Sequence, residues 1–219
     1  MSVKKIEREG LQGWLHRPSG KPRAALAVTH GAGGNAESPL IVAIAEQWAS
    51  AGSLVLRYNL PYRQRRPKGP PSGSAKADQA GIVAAANYLR EIAGDVPLYI
   101  AGQSYGGRMS SMVAASEGRD ACDGLILFSY PLHPPGNAAK LRTEHFPEIK
   151  IPAFFVHGTR DPFGSPEEME TAQGLLGGPS QLYIVEGAGH GVPPASIPAA
   201  LEAFEKFAKS KPVAASRKK

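Results

Sequence analysis

The chain has 219 residues, a formal charge of +6, and 42% hydrophobic against 20% charged residues. That is enough chain for one domain with a sizeable core and too little for two comfortable ones. The basic excess excludes less than it first suggests, because it gathers at one end: residues 205–219 hold Lys206, Lys209, Lys211, Arg217, Lys218 and Lys219 against Glu205 alone. Residues 1–209 are therefore read as a single domain and 210–219 as a basic, disordered tail. No aromatic-interleaved basic stripe accompanies the tail, so no nucleic-acid partner is expected. No apolar run approaches the roughly 20 residues needed to span a bilayer, so no membrane partner is expected either. The first ten residues, "MSVKKIEREG", are charged and unlike a secretory signal. Cys122 is the single cysteine and cannot form an intrachain disulfide. Together these features point to a cytoplasmic protein.

In chain order, residues 3–17 are expected to add antiparallel edge strands. Continuous apolar runs then follow at 24–29, 54–58, 98–101, 125–129, 153–157 and 182–185. Continuous rather than alternating runs suit strands buried on both faces of a parallel sheet. Helical patterns separate most of them. Residues 38–51 align Ile41, Ile44, Ala45 and Trp48, and 76–92 present a broad face of Val83, Ala86, Tyr88, Leu89 and Ile92. "SPEE" at 165–168 combines a Ser165 cap, Pro166 in the first turn and Glu168 to close a capping box. A last helix over 197–209 turns Leu201, Phe204 and Phe207 inward. Alternation of strand and helix predicts an α/β fold, a doubly wound, mostly parallel sheet with helices on both faces. Two irregular segments, 61–76 and 131–150, follow strands and so belong at the carboxyl edge, where such sheets bind ligands.

At that edge "LYIAGQSYGG" places Ser104 between Gly102 and Gly106, after an apolar run and before a helical pattern. A strand-to-helix turn there would present the hydroxyl as a nucleophile; the competing reading is an ordinary serine N-cap. A base must come from the same edge. His16 lies too early, while His30 and His157 end strands and precede glycine, as turn-shaping residues do. His190, in the glycine-rich "EGAGHGV" after the last strand, can reach over the edge. Asp161 is the first carboxylate past the preceding strand, whereas Asp120 and Asp123 precede a strand and Asp78 and Asp95 flank a helix. The order Ser104, Asp161, His190 is the one this architecture requires. "THGAGG" after the first core strand offers the Ala32 N–H as an oxyanion donor beside that of Tyr105, each such donor being worth about 10²–10³ in rate.

With these residues in place the chain resembles the α/β-hydrolases, and within them the small dienelactone-hydrolase-like proteins. It is most similar to the group containing the hydrolase-like region of a chromatin-associated NSL complex subunit. "HGAGG" (30–34), "GQSYGGRMSS" (102–111), "HGTRDPFG" (157–164) and "GAGHG" (187–191) carry the resemblance, with "RYNLPY" (57–62) and "YPLHPPG" (130–136) as the more specific pieces. The resemblance implies a serine hydrolase of small carboxylic esters or lactones, working through Ser104, His190 and Asp161 without a cofactor. Dienelactone hydrolase proper has cysteine where Ser104 stands, so its substrate is not carried over. Tyr105 stands where methionine is expected in this group.

The interval 131–150 is too short for a lid domain, which implies an open cleft for a small-molecule ester. Arg63 and Arg66 on one loop, and His133, Arg142 and His145 on the other, are candidates for substrate binding; solvated loop charge is the commoner reading for the first two, and loop anchoring is the alternative for the other three. Neither H-E-x-x-H nor paired-cysteine spacing occurs, so no metal site is expected. Two other readings compete. "GAGGNA" (31–36) after a strand, with Arg57 to meet a 2′-phosphate, could bind a dinucleotide, although Pro39 interrupts the helix that should follow. A non-catalytic scaffold could also keep the hydrolase fold as an interaction surface.

Overall fold

The structure, a computed structural model, describes residues 1–211; most of the expected tail, residues 212–219, lies outside the described residues. Eight strands form one sheet in the order β1-β2-β4-β3-β5-β6-β7-β8. β1 (Ser2–Arg8) and β2 (Leu11–Arg17) form an antiparallel hairpin, and β2 pairs antiparallel with β4 (Ser53–Asn59). From β4 onward, β3 (Ala24–Thr29), β5 (Leu98–Gln103), β6 (Gly124–Phe128), β7 (Ala153–Gly158) and β8 (Ser180–Val185) are parallel. β3 pairs with β4 on one side and β5 on the other, so the winding reverses there and opens a crevice at their carboxyl ends.

The helices cover both faces. α1 (Pro39–Ser50) and α6 (Ile197–Ser210) pack on one side, where Ile41, Ile44, Trp48, Phe154, Phe204 and Phe207 share a core. α3 (Ala75–Ala93) and α4 (Tyr105–Glu117) pack on the other with Ile82, Leu89, Ile100, Met109 and Leu127. α5 (Pro166–Gln173) opens with the capping box: the Glu168 N–H donates to Ser165 Oγ at 3.3 Å and the Ser165 N–H to Glu168 Oε2 at 2.7 Å. Among the described residues no helix is long and apolar enough to cross a membrane.

Four details differ from the sequence pattern. The inward face of α3 centres on Ile82, Ala85, Ala86 and Leu89, while Val83, Tyr88 and Ile92 sit half-buried at its margin. The broad apolar stripe left this rotation unspecified. β8 is an edge strand and only half-buried, although its sequence reads like a central one. Pro39 does not break α1; it opens it, since a first-turn proline forfeits no helical hydrogen bond. By the same device Pro61 starts a short helix, α2 (Pro61–Arg65), inside a segment that reads as irregular.

Candidate active site

The turn between β5 and α4 holds Ser104 at φ 50°, ψ −114°, a backbone region that costs a non-glycine residue about 1–3 kcal/mol. What enforces it is close packing below. A Cβ at Gly106 would fall 2.5 Å from the His30 carbonyl oxygen, and one at Gly102 would fall 2.5 Å from Gly107 N. The Ser104 N–H donates to Phe128 O at 2.9 Å, tying the turn to the end of β6. No side-chain cap bond forms at Ser104. Its hydroxyl points instead to His190, with Oγ 2.7 Å from Nε2.

His190 arrives on the loop after β8, and its Nδ1 lies 3.0 and 2.9 Å from the two Asp161 oxygens. The carboxylate only accepts, so Nδ1 carries the proton and Nε2 is free to accept from Ser104. The Asp161 side chain is wholly buried, whereas that of His190 is 26% exposed. Asp161 is also held by the Phe163 N–H, which donates to Oδ1 at 2.9 Å. The Phe163 ring lies on the imidazole with centroids 4.0 Å apart. Behind the acid, buried His157 donates from Nε2 to Gly164 O at 2.8 Å and turns Nδ1 toward Asp161, 3.8 Å away.

The loop after β3 crosses close above Ser104: a Cβ at Gly31 would lie 3.4 Å from Ser104 Cβ. Neither the Ala32 nor the Tyr105 amide has an acceptor among the described residues. The carbonyl side of this loop is clamped. Tyr62 directs its hydroxyl to Ala32 O (2.8 Å) and Gly31 O (3.2 Å). Arg63 donates to Ala32 O (3.0 Å), Gly34 O (2.8 Å), Gly69 O (2.9 Å) and Arg66 O (3.2 Å). Fixing the carbonyls fixes the direction of the adjoining N–H groups, because the peptide units are planar. Asp78 braces the other donor: it accepts from the Tyr62 N–H (3.1 Å) and from the Tyr105 hydroxyl (2.7 Å). Burial, then this hydrogen bond, pushes the Tyr105 hydroxyl pKa up, so it remains a neutral donor.

The candidate substrate residues thus divide. Arg63 is 4% exposed and committed to backbone carbonyls. The Arg66 side chain is exposed. The ring nitrogens of His133 face Pro134 O (2.8 Å) and Glu168 Oε2 (3.3 Å). His145 donates from Nε2 to Ser111 Oγ at 2.7 Å, since that hydroxyl spends its own proton on Arg108 O. Arg142 donates to Pro131 O at 3.1 Å. Arg57, the residue a dinucleotide reading needs, is buried: it donates to His16 Nε2 (2.9 Å) and Ala36 O (2.7 Å) and stacks on Trp14.

Asp78, Tyr62 and Phe163 escaped the sequence reading. Asp78 did leave a signal, since it shares helical spacing with Ile82, Ala85 and Leu89 and so is an acid on a core-facing stripe.

His30 links this site to pH. Its Nε2 accepts from the Leu60 N–H at 3.2 Å, so Nδ1 carries the proton toward Gly31 O at 2.9 Å. Burial lowers its pKa from 6.5 to about 4, and the same cause lowers His16 and His145 to about 4. The folded state therefore needs these rings neutral. Their stabilisation is complete above about pH 6.5 and is lost as pH falls toward 4. The urea midpoint is expected to fall continuously between pH 7 and pH 4.5; a flat midpoint across that interval would contradict the assignment.

A family model described as an alpha/beta hydrolase domain matches residues 22–202. The chain belongs to the α/β-hydrolase family. Solved structures agree on the fold over nearly the whole of this α/β-hydrolase. A Thermus thermophilus protein is 23% identical, covering 94% of this chain and 97% of its own, with a TM-score of 0.75. Dienelactone hydrolase from Anabaena variabilis is 23% identical, covering 91% and 89%, with a TM-score of 0.67. Esterase 2 of Thermogutta terrifontis, phosphonylated by sarin, is 16% identical, covering 98% and 95%, with a TM-score of 0.69. Similarity at these identities speaks to the fold alone.

Proposed function

We infer that this α/β-hydrolase is a serine hydrolase of small carboxylic esters or lactones, with Ser104 as nucleophile, His190 as base and Asp161 as its partner. The observation that carries the reading is the 2.7 Å contact of Ser104 Oγ with His190 Nε2 on a strained turn. Serine is a weak nucleophile at its own pKa and needs a base placed to take its proton. His190 takes that proton as Oγ attacks the carbonyl carbon. Asp161 holds the tautomer and stabilises the imidazolium that forms. The Ala32 and Tyr105 N–H groups receive the oxyanion, aided by the positive end of α4. His190 then protonates the leaving alcohol, and water, activated by the same ring, releases the acid from the acyl-enzyme. Every step uses groups already in contact or on loops bonded to them. The 131–150 interval adds no helical domain over the site, only the single turn Phe146–Glu148, which favours small or exposed esters.

A fluorophosphonate tests this directly, and the organophosphorus adduct on a neighbour of the same fold makes the probe a reasonable choice. Intact mass should show one stoichiometric adduct on the wild type and none on Ser104→Ala. Labelling that survives the substitution means another serine reacts. A folded wild type without any adduct points instead to the non-catalytic scaffold.

A further inference from the structure

Asp78 is an acid where α3 calls for an apolar side chain. It lies on the stripe of Ile82, Ala85 and Leu89, is 2% exposed, and forms no ion pair among the described residues. An acid on that face carries a desolvation cost that an apolar side chain would not. Sequences break a local rule of this kind chiefly at functional sites. The position of Asp78 agrees, because both of its oxygens are spent on groups beside Ser104.

The two bonds lead to opposite sides of the Ser104 turn. Oδ1 accepts from the Tyr62 N–H at 3.1 Å, and Oδ2 from the Tyr105 hydroxyl at 2.7 Å. On the first side, Gly81 lacks a Cβ that would fall 2.5 Å from Pro61 Cδ, so α3 lies directly against the start of α2 and brings Asp78 to Tyr62. Tyr62, so held, sets its own hydroxyl 3.2 Å from Gly31 O, a carbonyl that also receives the His30 Nδ1–H at 2.9 Å. Gly31 O and the Ala32 N–H belong to one planar peptide unit, so aiming the carbonyl aims the amide. On the second side, Asp78 anchors the side chain of Tyr105, whose backbone N–H is the other candidate donor. The two phenol rings meet edge to face, with centroids 5.8 Å apart at 86°. One buried carboxyl group thus bears on both amides, on Ala32 through Tyr62 and on Tyr105 directly.

We propose that Asp78 is a positioning residue for oxyanion stabilisation, holding the Ala32 and Tyr105 N–H groups at the separation that a tetrahedral oxyanion requires. It makes no hydrogen bond to Ser104 and acts only through Tyr62 and Tyr105. The role rests on the serine-hydrolase reading, which supplies the oxyanion. Such donors act fully only when aimed at the place the oxyanion will occupy, and a displacement of about 1 Å is enough for a loss of roughly 10²-fold. The ground-state carbonyl gains less from the same donors, so the loss falls on kcat rather than on KM.

The test reads hydrolysis of 4-nitrophenyl butyrate beside inhibition by propyl trifluoromethyl ketone, whose adduct with a serine carries an oxyanion. Turnover is counted per serine labelled by the fluorophosphonate at completion, so an unfolded fraction does not enter. Asp78→Ala should lower kcat by roughly 30- to 100-fold with KM within about threefold, and should weaken the ketone by a similar factor. Tyr105→Phe, which removes one of the two bonds, should cost about tenfold in both readouts. Added to Asp78→Ala it should cost less than about twofold more, since the bond it removes is already gone. Asp78→Asn, which keeps an acceptor for the Tyr62 N–H, should restore part of kcat. Unchanged kcat and ketone affinity in Asp78→Ala overturns the role. So does a fall in kcat that leaves ketone affinity at the wild-type value, because a merely structural side chain would give that result. If Asp78→Ala does not fold, Tyr105→Phe decides alone by the same two readouts. A wild type that neither hydrolyses the ester nor binds the ketone refutes the hydrolase reading, and the positioning role falls with it. An active wild type with indifferent variants refutes the positioning role alone.

Discussion

Replacing Ser104 by alanine is expected to lower turnover of a neutral phenyl ester by roughly 10⁵–10⁶-fold, and Asp161→Asn by roughly 10⁴-fold. On the proposed mechanism the first loss follows because the substitution removes Oγ, which lies 2.7 Å from His190 Nε2. What survives comes from the Ala32 and Tyr105 donors, which act on any nucleophile, including water. The second loss works through a proton. Asp161 receives the His190 Nδ1–H and the Phe163 N–H, and its side chain is wholly buried. An asparagine can offer His190 an N–H in place of an oxygen, which moves the ring proton to Nε2, where it blocks acceptance from Ser104. The double variant should be no slower than Ser104→Ala alone, since residues acting as one unit do not add. Steady-state hydrolysis of 4-nitrophenyl butyrate checks all three. More than about one percent of wild-type turnover in Ser104→Ala would sink the assigned roles.

The parallel strands were legible because burial on both faces leaves continuous apolar runs, and the strand-to-helix turn at Ser104 because its glycines are demanded by local packing. Gly106 is one of them: its missing Cβ makes room for the His30 carbonyl. Groups whose partners are distant in sequence were not legible. Arg63 reads as solvated loop charge, yet its guanidinium binds carbonyls of residues 32, 34, 66 and 69, which only the folded loop brings together. Tyr105 stands out in the sequence for its backbone N–H alone, whereas its hydroxyl bond to Asp78 on α3 depends on how α3 and α4 pack. Arg108 is the opposite case. Its sequence context is that of an ordinary helix, and only its buried Nε, without an acceptor among the described residues, marks it. A sequence displays charge, whereas only the fold decides whether that charge is already spent.

The strain at Ser104 yields the second large effect. Gly106→Ala is expected to destabilise the protein by about 3 kcal/mol or more, lowering Tm by roughly 6–12 °C for a chain of this size. The new Cβ would meet His30 O at 2.5 Å and Thr29 Cγ2 at 2.8 Å, so the obstacle is largely the backbone at the end of β3 rather than a pliable side chain. Relief requires α4 to move away from β3, which separates the Tyr105 N–H from the Ala32 N–H. Activity should therefore fall even in the fraction that remains folded. Gly102→Ala should act the same way from the other side of the turn, against Gly107 N at 2.5 Å. Gly20→Ala is the control: nothing lies within 4 Å of its added Cβ, and its stability should stay within about 0.5 kcal/mol of wild type. Urea unfolding of the three variants at pH 7 decides the matter. A Gly106→Ala protein as stable as the control would mean that β3 and α4 can part freely. The close approach of the two could then no longer be what keeps Ser104 at φ 50°.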